Sequence, residues 1–150
     1  MKLAEALQER ADLNARIFEL RNRLSNNALV QEGEKPAEDP TELLKQLDDS
    51  CARLEELMAR INKTNQETKS EGKTITEMIA HRDALKVQVE IYRSLIEEAS
   101  SNTRRATRTE IKILSTVDVR KLQKKADAIS KEIRTTDNKI QELNWTSELL

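Results

Sequence analysis

Four stretches of the chain repeat apolar residues at alternating steps of three and four, and this rhythm restricts the fold more than any other feature. At 3.6 residues per turn such spacing stacks the apolar side chains along one side of a helix. The first stretch carries Leu3, Ala6, Leu13, Ile17, Leu20 and Leu24, with Arg10 in its one polar slot. The second carries Leu44, Leu47, Cys51, Leu54, Met58 and Ile61. Met78, Leu85, Val89, Tyr92, Ile96 and Ala99 form the third, with Arg82 as its polar member. The fourth runs through Val119, Leu122, Ala126, Ile129, Ile133, Ile140 and Leu143, interrupted at Thr136.

Local signals bound these helices to about 2–24, 41–66, 74–100 and 119–145. Asp39 caps the second helix, Pro40 suits its first turn and Glu42 meets the positive end of its dipole. Thr74 and Glu77 have the spacing of a reciprocal capping box, and Asp118 precedes the fourth helix as a cap. With 37% hydrophobic and 35% charged residues but only two Gly and two Pro, the chain has the balance of long amphipathic helices rather than of a sheet. Each helix spans about 37 Å at 1.5 Å per residue. The matched lengths predict an all-α single domain over residues 1–150, an up-down four-helix bundle. The alternative is a set of helical hairpins closed by oligomerisation.

A second apolar set supports that alternative: Leu7, Ala11 and Phe18 on the first helix, Leu43 and Leu57 on the second, Val87, Ile91 and Leu95 on the third. These residues either widen the core stripe or form outer faces that a homo-oligomer or a protein partner covers.

Two connections, 25–39 and 101–117, are each about 16 residues long, more than a bundle needs, and long loops are often functional. In an up-down bundle they share an end. Ala28–Gln31 in one and Ile111–Leu114 in the other are short strand-like runs, with Ile111, Ile113, Val117 and Val119 alternating as strand residues do, so a small β-pairing between them is expected. The loops have opposite net charges. Arg104, Arg105, Arg108 and Lys112 stand against Glu110 in one; Glu32, Glu34, Glu38 and Asp39 stand against Lys35 in the other. The basic group is the candidate anion or partner contact, since guanidinium forks match phosphate oxygens. Mutual neutralisation of the loops is the competing reading. The basic segment holds no aromatic residue for base stacking, and Lys plus Arg number 26 against 27 acidic residues, so nucleic acid is not the expected partner.

Catalytic, metal and cofactor chemistry have no candidate residues. One histidine, His81, cannot assemble a diiron bundle site, and its spacing to Glu77 reads as a surface pair on one helix face. Cys51 falls in the apolar stripe without an activating base and reads as core. Glu55 with Glu56, and Glu97 with Glu98, point about 100° apart on their helices and read as solvated faces. Gly33 and Gly72 cannot build a phosphate loop, and no small-molecule substrate is evident. The expectation is a protein that is not an enzyme. Asn144, Trp145 and Thr146 fit a glycosylation pattern, but acidic Glu5 comes too early for a signal peptide and no apolar run approaches the roughly 20 residues of a membrane span. A cytoplasmic protein with no transmembrane segment is expected, with Trp145 packed at the bundle end.

The segments MKLAEALQERADLNARI, VQEGEKPAEDP, RINKTN, EIKILSTVDV and LNWTSELL together resemble a family of small bacterial proteins known as septicolysin. The resemblance runs nearly end to end, and four of the five segments fall at loops or helix ends. It implies an all-helical bacterial protein and, by the family's name, a lytic or membrane-acting role. It assigns no site residue.

Overall fold

In a computed structural model the chain is all-α, and the structure describes residues 1–101 and 111–150. The helices are α1 (Leu3–Asn26), α2 (Pro40–Glu67), α3 (Ile75–Ser100) and α4 (Val119–Thr146). Each end lies within two residues of the position set by the apolar rhythm. The caps form as their chemistry requires. Asp39 Oδ1 accepts from the Thr41 amide at 2.9 Å ahead of Pro40. Thr74 and Glu77 close a reciprocal box, with bonds of 3.1 and 2.7 Å, and Asp118 Oδ1 accepts from the Lys121 amide at 3.1 Å.

Compactness divides the chain into two units, Met1–Ser70 with Glu142–Leu150, and Glu71–Gln141. In the first, α1 packs against α2. Leu3, Ala6 and Leu20 are buried on α1; Leu43, Ser50, Leu57, Ile61 and Thr64 are buried on α2. Arg53 grips Glu9 across the hairpin with two bonds of 2.6 and 2.9 Å. Near the connection Arg23 forms a forked pair with Glu38, and Asn27 accepts from the Glu38 amide at 3.0 Å while donating to the Arg23 carbonyl. The last residues return to this unit: Leu149 is buried, and the Leu150 amide donates to Thr64 Oγ1 at 3.0 Å.

The second unit is the α3 and α4 hairpin. Leu85 and Val89 pack with Ala126 and Ile129, and Tyr92, Ile96 and Ile133 flank them. Arg82, the polar slot of its stripe, donates to Asp137 on α4 at 2.9 Å. Its hydrogen bond to Asp137, aided by Asp83, raises its pKa above the ordinary guanidinium value against the opposing effect of partial burial.

Three sequence expectations need correction. Neither 28–31 nor 111–114 is a strand. Among the described residues the one two-strand pair joins β1 (Lys69–Ser70) and β2 (Lys73–Thr74) around Glu71 and Gly72, both at positive φ. Residues 28–31 instead enter a turn, closed by the Glu34 amide on the Gln31 carbonyl and by Gly33 at φ +87°. Both segments hold their apolar side chains in solvent, Leu29 at 90% and Leu114 at 77% exposure, and a bare two-strand pair without a buried face is marginal in water.

The second correction concerns the seam of α2, which is rotated by one residue from the apolar spacing. Leu43, Leu47, Ser50, Leu54, Leu57, Ile61 and Thr64 form the inward row at strict heptad steps, while Leu44, Cys51 and Met58 face outward. Ser50 and Thr64 can occupy a seam because each hydroxyl donates to a carbonyl one turn back, Gln46 at 2.7 Å and Arg60 at 2.8 Å. A polar side chain satisfied within its own helix carries little burial cost. Cys51 is therefore an exposed thiol rather than core.

Trp145 is the third. It is 65% exposed, because the adjacent Asn144 and the returning Leu149 take the buried positions. It forms one wall of an open cleft of about 370 Å³ with Ala4, Gln8 and Asp12.

Candidate interaction surface

On α3 the inward row leaves the opposite side to solvent, and that side is apolar too. Val87, Ile91 and Leu95, spaced by four, are 64%, 63% and 42% exposed. At 100° per residue they form one row along the helix, turned away from Leu85, Val89 and Ile96. The row ends in a cleft of about 350 Å³, where Leu95 and Ala99 face Ile113, Leu114 and Val117. The segment 111–117 has neither helix nor strand and presents Ile111, Ile113 and Leu114 to solvent. The second apolar set of α3 thus forms an outer face and does not widen the core.

The sets on α1 and α2 divide differently. Leu43 and Leu57 belong to the core, and Leu44, Cys51 and Met58 replace them as the outer row of α2, again at heptad spacing. Phe18 on α1 is exposed, whereas Leu7 is half-buried. The sequence signal for the α2 row was present but assigned to the wrong side. Its apolar residues mark a stripe one step from a seam that includes two hydroxyl side chains.

Of the basic candidates, Lys112 is exposed; Arg104, Arg105 and Arg108 lie outside the described residues. On the acidic side, Glu38 is held by Arg23 and Asp39 caps α2, so two of the four carboxylates have partners within their own unit. His81 Nε2 lies 2.8 Å from Glu132 Oε1 on α4, a pair across the hairpin, and Glu77 serves the Thr74 box.

The perturbed carboxyls are structural in character. Arg53 beside Glu9, Arg23 beside Glu38 and Lys2 beside Glu148 each hold the carboxyl below its ordinary value, mainly by direct hydrogen bonds. Among the described residues no group of three His, Cys, Asp or Glu side chains could hold a metal ion, and no helix is long and apolar enough to cross a membrane. What the surface offers is desolvation: rows of exposed aliphatic side chains on rigid helices, which release free energy when another apolar face covers them.

The sequence profile of a family of unknown function, DUF6847, matches residues 10–149. The chain belongs to this family. A crystal structure of a functionally unknown conserved protein from Corynebacterium diphtheriae is similar to this DUF6847 member over 100% of the chain and 99% of its own, with 43% identity and a TM-score of 0.89. No curated protein matches the sequence significantly. At that identity and coverage the fold is common to the two proteins. The label carried by the resemblance to septicolysin finds no counterpart in either comparison.

Proposed function

We infer that this DUF6847 protein acts by association, with a second copy of itself as the first partner, and has no catalysis of its own. The carrying observation is the outer row Val87, Ile91 and Leu95 on α3, continued into the Leu95, Ile113 and Leu114 cleft. Large exposed apolar faces on soluble helices mark interaction sites. A two-fold contact needs one patch that complements itself, and straight rows of aliphatic residues at helical spacing meet that need by packing antiparallel on their own copies. The heptad row Leu44, Cys51 and Met58 supports the same reading, since it is symmetric about its middle residue. A cytoplasmic setting goes with this reading.

The test is a native mass spectrum of the full chain at micromolar concentration, with sedimentation velocity as a check. A defined oligomer of the 17.2 kDa chain that falls to monomer in Val87→Lys with Ile91→Lys is the expected result. A wild-type monomer at every concentration overturns it. The rival lytic role is implied by the septicolysin resemblance and has amphipathic helices as its only physical support. Dye release from anionic and neutral liposomes tests it, and silence in both removes it.

A further inference from the structure

A separate side of the second unit carries unbalanced positive charge in a built recess. Between α3 and α4 lies an open cleft of about 440 Å³ with Val89 and Ile133 as its floor, a volume within the range of small-molecule sites. Lys86 and Arg93 stand on its α3 wall, Ser130 and Arg134 on its α4 wall. Glu90 is its one acidic residue and reaches Arg93 only at 3.7 Å. Arg93 also donates to Ser130 Oγ at 3.2 Å, a bond that turns the guanidinium across the cleft. Lys86 and Arg134 have no carboxylate within ion-pair distance among the described residues, whereas Arg82, one turn before Lys86, is fully engaged by Asp83 and Asp137.

We propose that this cleft binds a small molecule bearing two linked phosphate groups. Three cations face one carboxylate over an apolar floor. Arg93 and Arg134 can each take two phosphate oxygens in a fork, and Lys86 supplies a compact charge. Lys86 and Arg93 are seven residues apart, about 10.5 Å along the helix axis. Two guanidinium forks and one ammonium call on about five oxygens, more than the four of a single phosphate and within the seven of a diphosphate. Val89 and Ile133 offer contact to an uncharged part of the ligand. The site does not depend on the association face: Val87, Ile91 and Leu95 lie on another side of α3 from Lys86 and Arg93.

The experiment is a titration of the isotope-labelled full chain with inorganic pyrophosphate, ADP, inorganic phosphate and sulfate at physiological ionic strength, with affinities from calorimetry. Saturable binding of pyrophosphate or ADP, at least tenfold tighter than phosphate or sulfate and with amide shifts centred on Val89, Ser130 and Ile133, is expected. Tighter ADP than pyrophosphate identifies a ligand whose organic part uses the floor; equal affinities identify the free diphosphate. Arg134→Glu and Lys86→Glu should each weaken binding at least tenfold with an unchanged unfolding temperature, and Lys86→Arg should retain it. The proposal is overturned if no anion saturates, if shifts spread over lysines outside the cleft, or if the charge reversals leave affinity unchanged.

Discussion

Replacing Leu57 and Met58 separately by alanine decides which side of α2 is the core. Leu57 is wholly buried and Met58 is 47% exposed. Leu57→Ala removes three buried carbons at about 0.8 kcal/mol each, to which the residual cavity adds, giving a loss of about 3 kcal/mol. Met58→Ala removes contacts already half in water and should cost about 0.5 kcal/mol. Because the chain has two compact units, one global unfolding curve need not describe both. The single tryptophan, Trp145, belongs to the first unit with α2, so urea unfolding followed by its fluorescence reads the relevant unit. With a slope of about 2 kcal/mol per molar, the midpoint should fall by about 1.5 M for Leu57→Ala and by about 0.3 M for Met58→Ala. Equal losses, or a greater loss at Met58, would refute the seam through Ser50 and Thr64.

Three further outcomes follow from the same unit. Cys51 should react with a thiol reagent in the native protein nearly as fast as in urea, and Cys51→Ser should change stability by less than about 0.5 kcal/mol; a thiol protected until unfolding contradicts its exposure. Thr64→Val keeps the volume but removes the donor to Arg60 and the acceptor for Leu150, so a loss of about 1–3 kcal/mol is expected from urea midpoints. Glu9, Glu38 and Glu148 have folded pKa values below the ordinary 4.5. Their stabilisation is complete above that value and is lost as pH falls through the lower folded values. The thermal midpoint read by Trp145 should therefore be flat from pH 7 to about 5 and drop below it, with a shallower drop in Glu9→Gln.

The helix bounds were legible because caps act locally. Asp39, Thr74 and Asp118 satisfy amides two or three residues away, so their roles need no tertiary information. The seam of α2 was not legible, because apolarity alone does not mark burial on this helix. Ser50 and Thr64 occupy seam positions by hydrogen-bonding within their own helix, which frees Leu44, Cys51 and Met58 for the surface. The strand reading of 28–31 and 111–114 fails for a related reason: a short apolar run implies a sheet only when something buries one face. The outer row of α3 was visible as a second periodicity. The cleft of Lys86, Arg93 and Arg134 was not, since it depends on which residues of α4 stand opposite which residues of α3.

The return of Glu142–Leu150 to the first unit makes Glu71–Gln141 an insertion in the sequence of its neighbour. A polypeptide synthesised from its amino end therefore has every residue of the inserted hairpin before the closing piece of the first unit exists. Order of completion is reversed with respect to order of synthesis. Until that piece arrives, Thr64 lacks the donor at Leu150 and Arg60 lacks the carbonyls of Leu149 and Leu150 that it binds at 3.4 and 2.9 Å. The contacts that complete the first unit thus join residues 86 to 90 positions apart in the chain.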